Sequence, residues 1–75
     1  MRTLESLQDG SAARLVEIGG ERSFRRRLME LGLLPGTMVR IVRRVDVGGL
    51  LEIEVRRSRV TVRRDEASRL LVAEG

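Results

Sequence analysis

Hydrophobic positions recur along this chain in short runs, and turn residues cut the runs apart. Leu4 and Leu7 stand three apart, which predicts a single turn laid across the edge of a core. Asp9-Gly10 marks a turn. Between positions 12 and 18 the apolar residues fall at 13 and 15, then at 16 and 18. That break in alternation predicts a bulged strand, ended by Gly19-Gly20. Ser23 is the expected N-cap of a helix over 24–31, with Phe24, Leu28 and Leu31 on its core stripe. Arg25, Arg26 and Glu30 lie off that stripe. So does Met29, about 140° round from Phe24 for a helix advancing ~100° per residue. Gly32 follows where a left-handed cap is wanted, and Pro35-Gly36 occupies the centre of a type II turn.

The second half reads as strands. Val39, Ile41 and Val45 face one way, and Arg40 and Arg44 face the other with Met38 and Val42. Asp46-Val47-Gly48-Gly49 is a hairpin turn. Leu51, Ile53 and Val55 alternate with Glu52 and Glu54. After Arg56-Arg57-Ser58, Val60 and Val62 alternate with Arg59, Thr61 and Arg63. Residues 64–68 form one helical turn and 69–73 a closing strand. A mainly β fold with one inserted helix follows, and short strands with tight turns suggest a small closed barrel.

Composition narrows the function. The 75 residues make one domain, 1–75. There is no Cys and no His, so disulfides and the usual zinc sites of small domains are excluded. Asp9, Asp46 and Asp65 are scattered, and no cofactor or metal site is expected. Without His, Cys or Lys, and with no base to activate a serine, an enzyme is not expected either. Nor does so short a chain offer much volume for a pocket of about 300 Å³ or more. All 15 basic residues are Arg, set against 11 acids for a net charge of +4. Apolar runs fall far short of the ~20 residues of a membrane span, and the start lacks the plan of a signal peptide. A cytoplasmic protein with no membrane insertion is the expectation.

The run from Arg27 through Leu28-Met29-Glu30-Leu31-Gly32-Leu33-Leu34-Pro35-Gly36 to Thr37 resembles the signature of the ferrous iron transport protein A (FeoA) family. Leu4, Leu7 and Gly10 resemble the family's opening. Arg64-Asp65-Glu66-Ala67 with Leu70-Leu71-Val72 resembles its close. The likeness spans roughly residues 3 to 73. It implies an SH3-like β-barrel with an inserted helix, acting beside the GTPase-bearing ferrous iron transporter of bacterial membranes (FeoB). Similar domains also serve as interaction modules in metal-dependent repressors. Two positions depart from the family. A Gly common in the second strand-to-strand turn is replaced, so that Arg57 or Ser58 must take its place, and Leu50 stands where a Pro is frequent.

The sharp and the bland readings divide the residues. Leu28, Leu31, Gly32, Pro35 and Gly36 each have a mechanical task in core, cap or turn. What remains exposed, Arg25, Arg26, Met29, Glu30, Leu33 and Leu34, is the expected partner-binding face, although Leu33 after the cap equally suits a buried Schellman contact. Met adapts to varied partners and Arg is enriched at binding hot spots. Arg40, Arg44, Arg59 and Arg63 suit a solvated face paired with Glu52 and Glu54. A nucleic-acid-binding stripe is the alternative, weakened because Phe24 is the only aromatic and is assigned to the core. A repressor-type regulatory domain is a further alternative, and self-association stays open.

Overall fold

Residues 1–45 and 47–74 are described by a computed structural model. They form six strands in one antiparallel sheet of order β1-β6-β2-β3-β4-β5. The strands are β1 (Arg2–Thr3), β2 (Ala12–Ile18), β3 (Met38–Val45), β4 (Leu50–Val55), β5 (Ser58–Arg63) and β6 (Leu70–Ala73). Helix α1 (Arg22–Glu30) is inserted between β2 and β3, and the single turn of α2 (Arg64–Ala67) joins β5 to β6. A 3₁₀ turn at Leu4–Ser6 follows β1. The mainly β architecture and the order of the elements agree with the sequence reading, except that β1 went unread.

Alternation builds the core. Ala13 and Leu15 of β2, Val39 and Ile41 of β3, Leu51, Ile53 and Val55 of β4, and Leu70 and Val72 of β6 are all buried. Leu4 and Leu7 close one end from the 3₁₀ turn, and Leu28 enters from α1. Among the described residues sixteen side chains make this core, all apolar. At about 2 kcal/mol for each large side chain withdrawn from water, their burial is the main force holding the fold.

The barrel does not close through hydrogen bonds. β1 and β5 are the two edges of the sheet, and α2 and the 3₁₀ turn pack together beside them. The expected closure fails because β1 is only two residues long and its one partner is β6.

Two bulges decide which side chains face out. In β2 the register shifts between Leu15 and Glu17, so Val16 is exposed while Ile18 returns to the core, as the broken alternation predicted. In β3 a shift between Ile41 and Arg43 was not anticipated. It places Arg44 opposite Leu51, whose side chain is in the core, and leaves Arg43 opposite Glu52. Arg44 therefore leaves the outer face on which alternation had put it. Its guanidinium donates to the carbonyls of Glu5 (2.6 Å) and Leu7 and to the Asp9 carboxylate (2.5 Å), clamping the N-terminal turn.

The hairpin between β3 and β4 agrees with the reading at Val47-Gly48-Gly49, whereas Asp46 lies outside the described residues. The hairpin between β4 and β5 has Arg56-Arg57 as its two central residues, with Val55 paired to Ser58. Arg56, rather than Arg57 or Ser58, takes the positive φ (57°). A single positive φ at the first central position is the pattern of a type II′ turn, which ordinarily favours Gly there.

Candidate docking surface

Gly20, at φ 94°, turns the chain out of β2 and sets the Glu21 carbonyl to accept the first helical bond, from Arg25 N–H at 3.0 Å. The helix therefore starts at Arg22, two residues earlier than a Ser23 cap would place it, and Glu21 is the N-cap without a side-chain hydrogen bond. At the other end Leu33 N–H donates to Leu28 C=O and Gly32 N–H to Met29 C=O, both at 3.0 Å. These are the paired bonds of a Schellman motif, and Gly32 supplies its left-handed residue at φ 100°. The chain reverses at Gly32 and carries Leu33 back into the core beside Leu28.

This ending corrects two assignments. Leu31 leaves the core stripe and is 47% exposed, whereas Leu33 is fully buried and offers no surface to a partner. The Schellman contact rule was the signal for both. Arg25, Arg26, Met29, Glu30 and Leu34 do lie on the exterior, with Met29 41% and Leu34 39% exposed. One end of the helix and the following loop thus present Met29, Leu31 and Leu34 to solvent.

Few ties hold α1 to the body. Of its residues only Leu28 is buried. Phe24, half-buried, has the guanidinium carbons of Arg69 and Arg27 at 5.2 and 5.8 Å from its ring centroid, the range of cation–π attraction. Arg27 also pairs with Glu66 of α2. Burial pushes the Glu66 carboxyl up, but the Arg63 N–H and the Arg27 guanidinium outweigh that and hold it below the usual glutamate range.

The electrostatics at the start of α1 run against its stability. Arg22 and Arg25 stand in the first turn, which holds no acid, whereas Arg27 stands in the last turn. Helix N-termini carry partial positive charge, so each cation there costs a few tenths of a kcal/mol or more. Among the described residues Arg22, Arg25 and Arg26 have no carboxylate within ion-pair distance. The strand arginines differ. Arg40 pairs with Glu54, Arg43 with Glu52 at 3.0 Å and Arg59 with Glu52 at 3.8 Å. With Arg44 turned inward, Arg40, Arg43 and Arg59 form a ladder of paired charges and not a bare basic stripe, and Arg63 has no carboxylate within ion-pair distance among the described residues.

A family model described as the FeoA domain matches residues 2–74. The chain belongs to the FeoA family. Among solved structures, FeoA from Chlorobium tepidum is 33% identical, with a TM-score of 0.87 over 93% of this chain and 67% of that one. FeoA from Stenotrophomonas maltophilia is 32% identical, with a TM-score of 0.78 over 97% of this chain and 91% of that one. That protein was crystallised with zinc and is described as an SH3 domain protein and a candidate activating factor of bacterial ferrous iron transport. Here no three His, Cys, Asp or Glu residues gather into a metal-binding group among the described residues. A manganese-dependent transcriptional repressor, 18% identical, shares the fold with a TM-score of 0.88, and this chain spans 41% of its length. No curated protein matches the sequence. The FeoA fold is the small SH3-like one that the sequence signature implied.

Proposed function

We propose that this FeoA protein is a non-enzymatic docking module of ferrous iron uptake that seats α1 and the loop after it on the cytoplasmic part of a FeoB-type GTPase transporter. Family membership supports the role in ferrous iron transport. The observation that carries the docking reading is the surface of α1. Met29, Leu31 and Leu34 are exposed on the same helix end and loop, and Arg25 and Arg26 lack ion-pair partners among the described residues. Apolar side chains with neighbouring arginines are the composition of a binding hot spot. The protein works in the cytoplasm in this reading. No helix among the described residues is long and apolar enough to cross a membrane.

The test is a chemical-shift titration of the labelled protein with the transporter's cytoplasmic portion at moderate salt. Shifts clustered on Arg25, Arg26, Met29, Glu30 and Leu34 support the reading. Shifts confined to the β3-β4-β5 face, or none with the full-length transporter either, overturn it.

A further inference from the structure

The outer surface of the sheet carries a feature that the helix face does not use. Met38 opens β3 with 44% of its surface exposed, opposite Arg14 of β2. Ala12, Gly36, Thr37, Arg40 and Arg56 line an open cleft of about 480 Å³ with it, more room than the chain length suggested. The one carboxylate in that lining, Glu54, is already paired with Arg40. Arg14 donates through Nη1 to the Gly36 carbonyl at 3.0 Å. Neither Arg14 nor Arg56 has a carboxylate within ion-pair distance among the described residues.

Arg56 is also the one described non-glycine residue with a positive φ. Gly would fit that backbone without strain, and strain of this kind concentrates where a side chain has work to do. The cleft therefore joins an exposed thioether with the unpaired guanidinium of Arg56 at a strained position, and Arg14 adjoins it through its bond to the Gly36 carbonyl.

We propose that this cleft binds an acidic peptide segment, with a carboxylate on Arg56 beside an aliphatic side chain laid on Met38. Guanidinium groups match carboxylates in a two-point geometry, and the flexible thioether adapts to aliphatic shapes. Inorganic phosphate satisfies the charge and leaves Met38 uncovered. The proposal does not depend on the helix-face reading, since it uses other residues, although the cleft begins beside the helix-face loop, where Thr37 N–H donates to the Leu34 carbonyl at 3.0 Å.

The experiment titrates the labelled full chain with a synthetic acetyl-Glu-Leu-Asp-Leu-Glu-amide peptide, its Gln/Asn analogue and inorganic phosphate. Saturable shifts are expected at Gly36, Thr37, Met38 and Arg56 with the acidic peptide. Its affinity should fall severalfold between about 50 and about 300 mM salt. Arg56→Gly relieves the backbone and keeps the fold, and should weaken binding about tenfold. Met38→Ala should weaken it by a smaller factor. Equal binding of the neutral analogue, equal shifts with phosphate, unchanged affinity in Arg56→Gly, or no saturable shifts would overturn the proposal. Shifts confined to α1 would overturn it too, and leave the helix-face reading standing.

Discussion

Arg27 of α1 and Glu66 of α2, 39 residues apart in the chain, are joined as an ion pair between the two helices. Glu66 also accepts the Arg63 N–H at 2.9 Å, the N3 half of a capping box. One carboxylate thus caps the short helix and anchors the long one.

This coupling predicts a pH dependence. The folded Glu66 carboxyl is held below its ordinary value of 4.5, so the unfolded chain takes up the proton first as pH falls. Its stabilisation is complete above the ordinary value and is lost as pH drops through the lower, folded one. Thermal melts between neutral and acid pH should show a steeper acid loss for the parent than for Glu66→Gln. At neutral pH that variant should be less stable by about 1 kcal/mol, the usual worth of a cap. Parallel pH profiles would show that Glu66 does not link the two helices.

Arg40 and Arg44 offer a second test, because the β3 bulge sends one outward and the other inward. Arg44→Ala removes the charged donor from the Glu5 and Leu7 carbonyls and should cost about 2 kcal/mol in urea denaturation. Arg40→Ala breaks a solvent-exposed pair with Glu54 and should cost less than about 1 kcal/mol. Equal losses would contradict the bulged register.

The left-handed turn residue gives a gain instead of a loss. Arg56→Gly should raise stability by about 1 kcal/mol, since an L-residue in that region carries a penalty of that order. Differential scanning calorimetry reads it directly. Arg57→Gly lacks this relief and should be neutral or destabilising.

The helix face separates binding from folding. Met29→Asp and Arg26→Glu should leave stability within about 1 kcal/mol of the parent while weakening capture by the transporter's cytoplasmic portion. Leu28→Ala should cost about 3 kcal/mol, because its side chain is buried in the core. Unfolding by Met29→Asp would remove α1 from consideration as a docking face.

Where the sequence was legible, local chemistry and tertiary packing pointed the same way. The Asp9-Gly10 and Pro35-Gly36 turns, the β2 bulge, the Gly32 cap and the short α2 all follow from residues acting on their near neighbours. The misreadings share another cause. Alternation placed Arg44 outward because nothing local in Val42-Arg43-Arg44 announces a bulge. The bulge is accompanied by distant partners, the Glu5 and Leu7 carbonyls. Likewise 3.6-residue periodicity carried Leu31 into the core, one step past the point where the Schellman turn had ended the helix. Of the proposed docking face, Arg25, Arg26, Met29, Glu30 and Leu34 were visible as surface. The pairing of Arg40 and Arg59 with Glu54 and Glu52 was anticipated, but the pairings of Arg43 with Glu52, Arg44 with Asp9 and Arg27 with Glu66 needed the fold.

That α1 commits a single buried leucine to the core has a consequence for descent as well as for binding. Most of its exposed positions can be rewritten by mutation at little cost to folding, since surface changes away from caps and ion pairs usually alter stability by under about 0.5 kcal/mol. A lineage can therefore change the chemistry that the helix presents to solvent while the sheet beneath it is inherited unaltered.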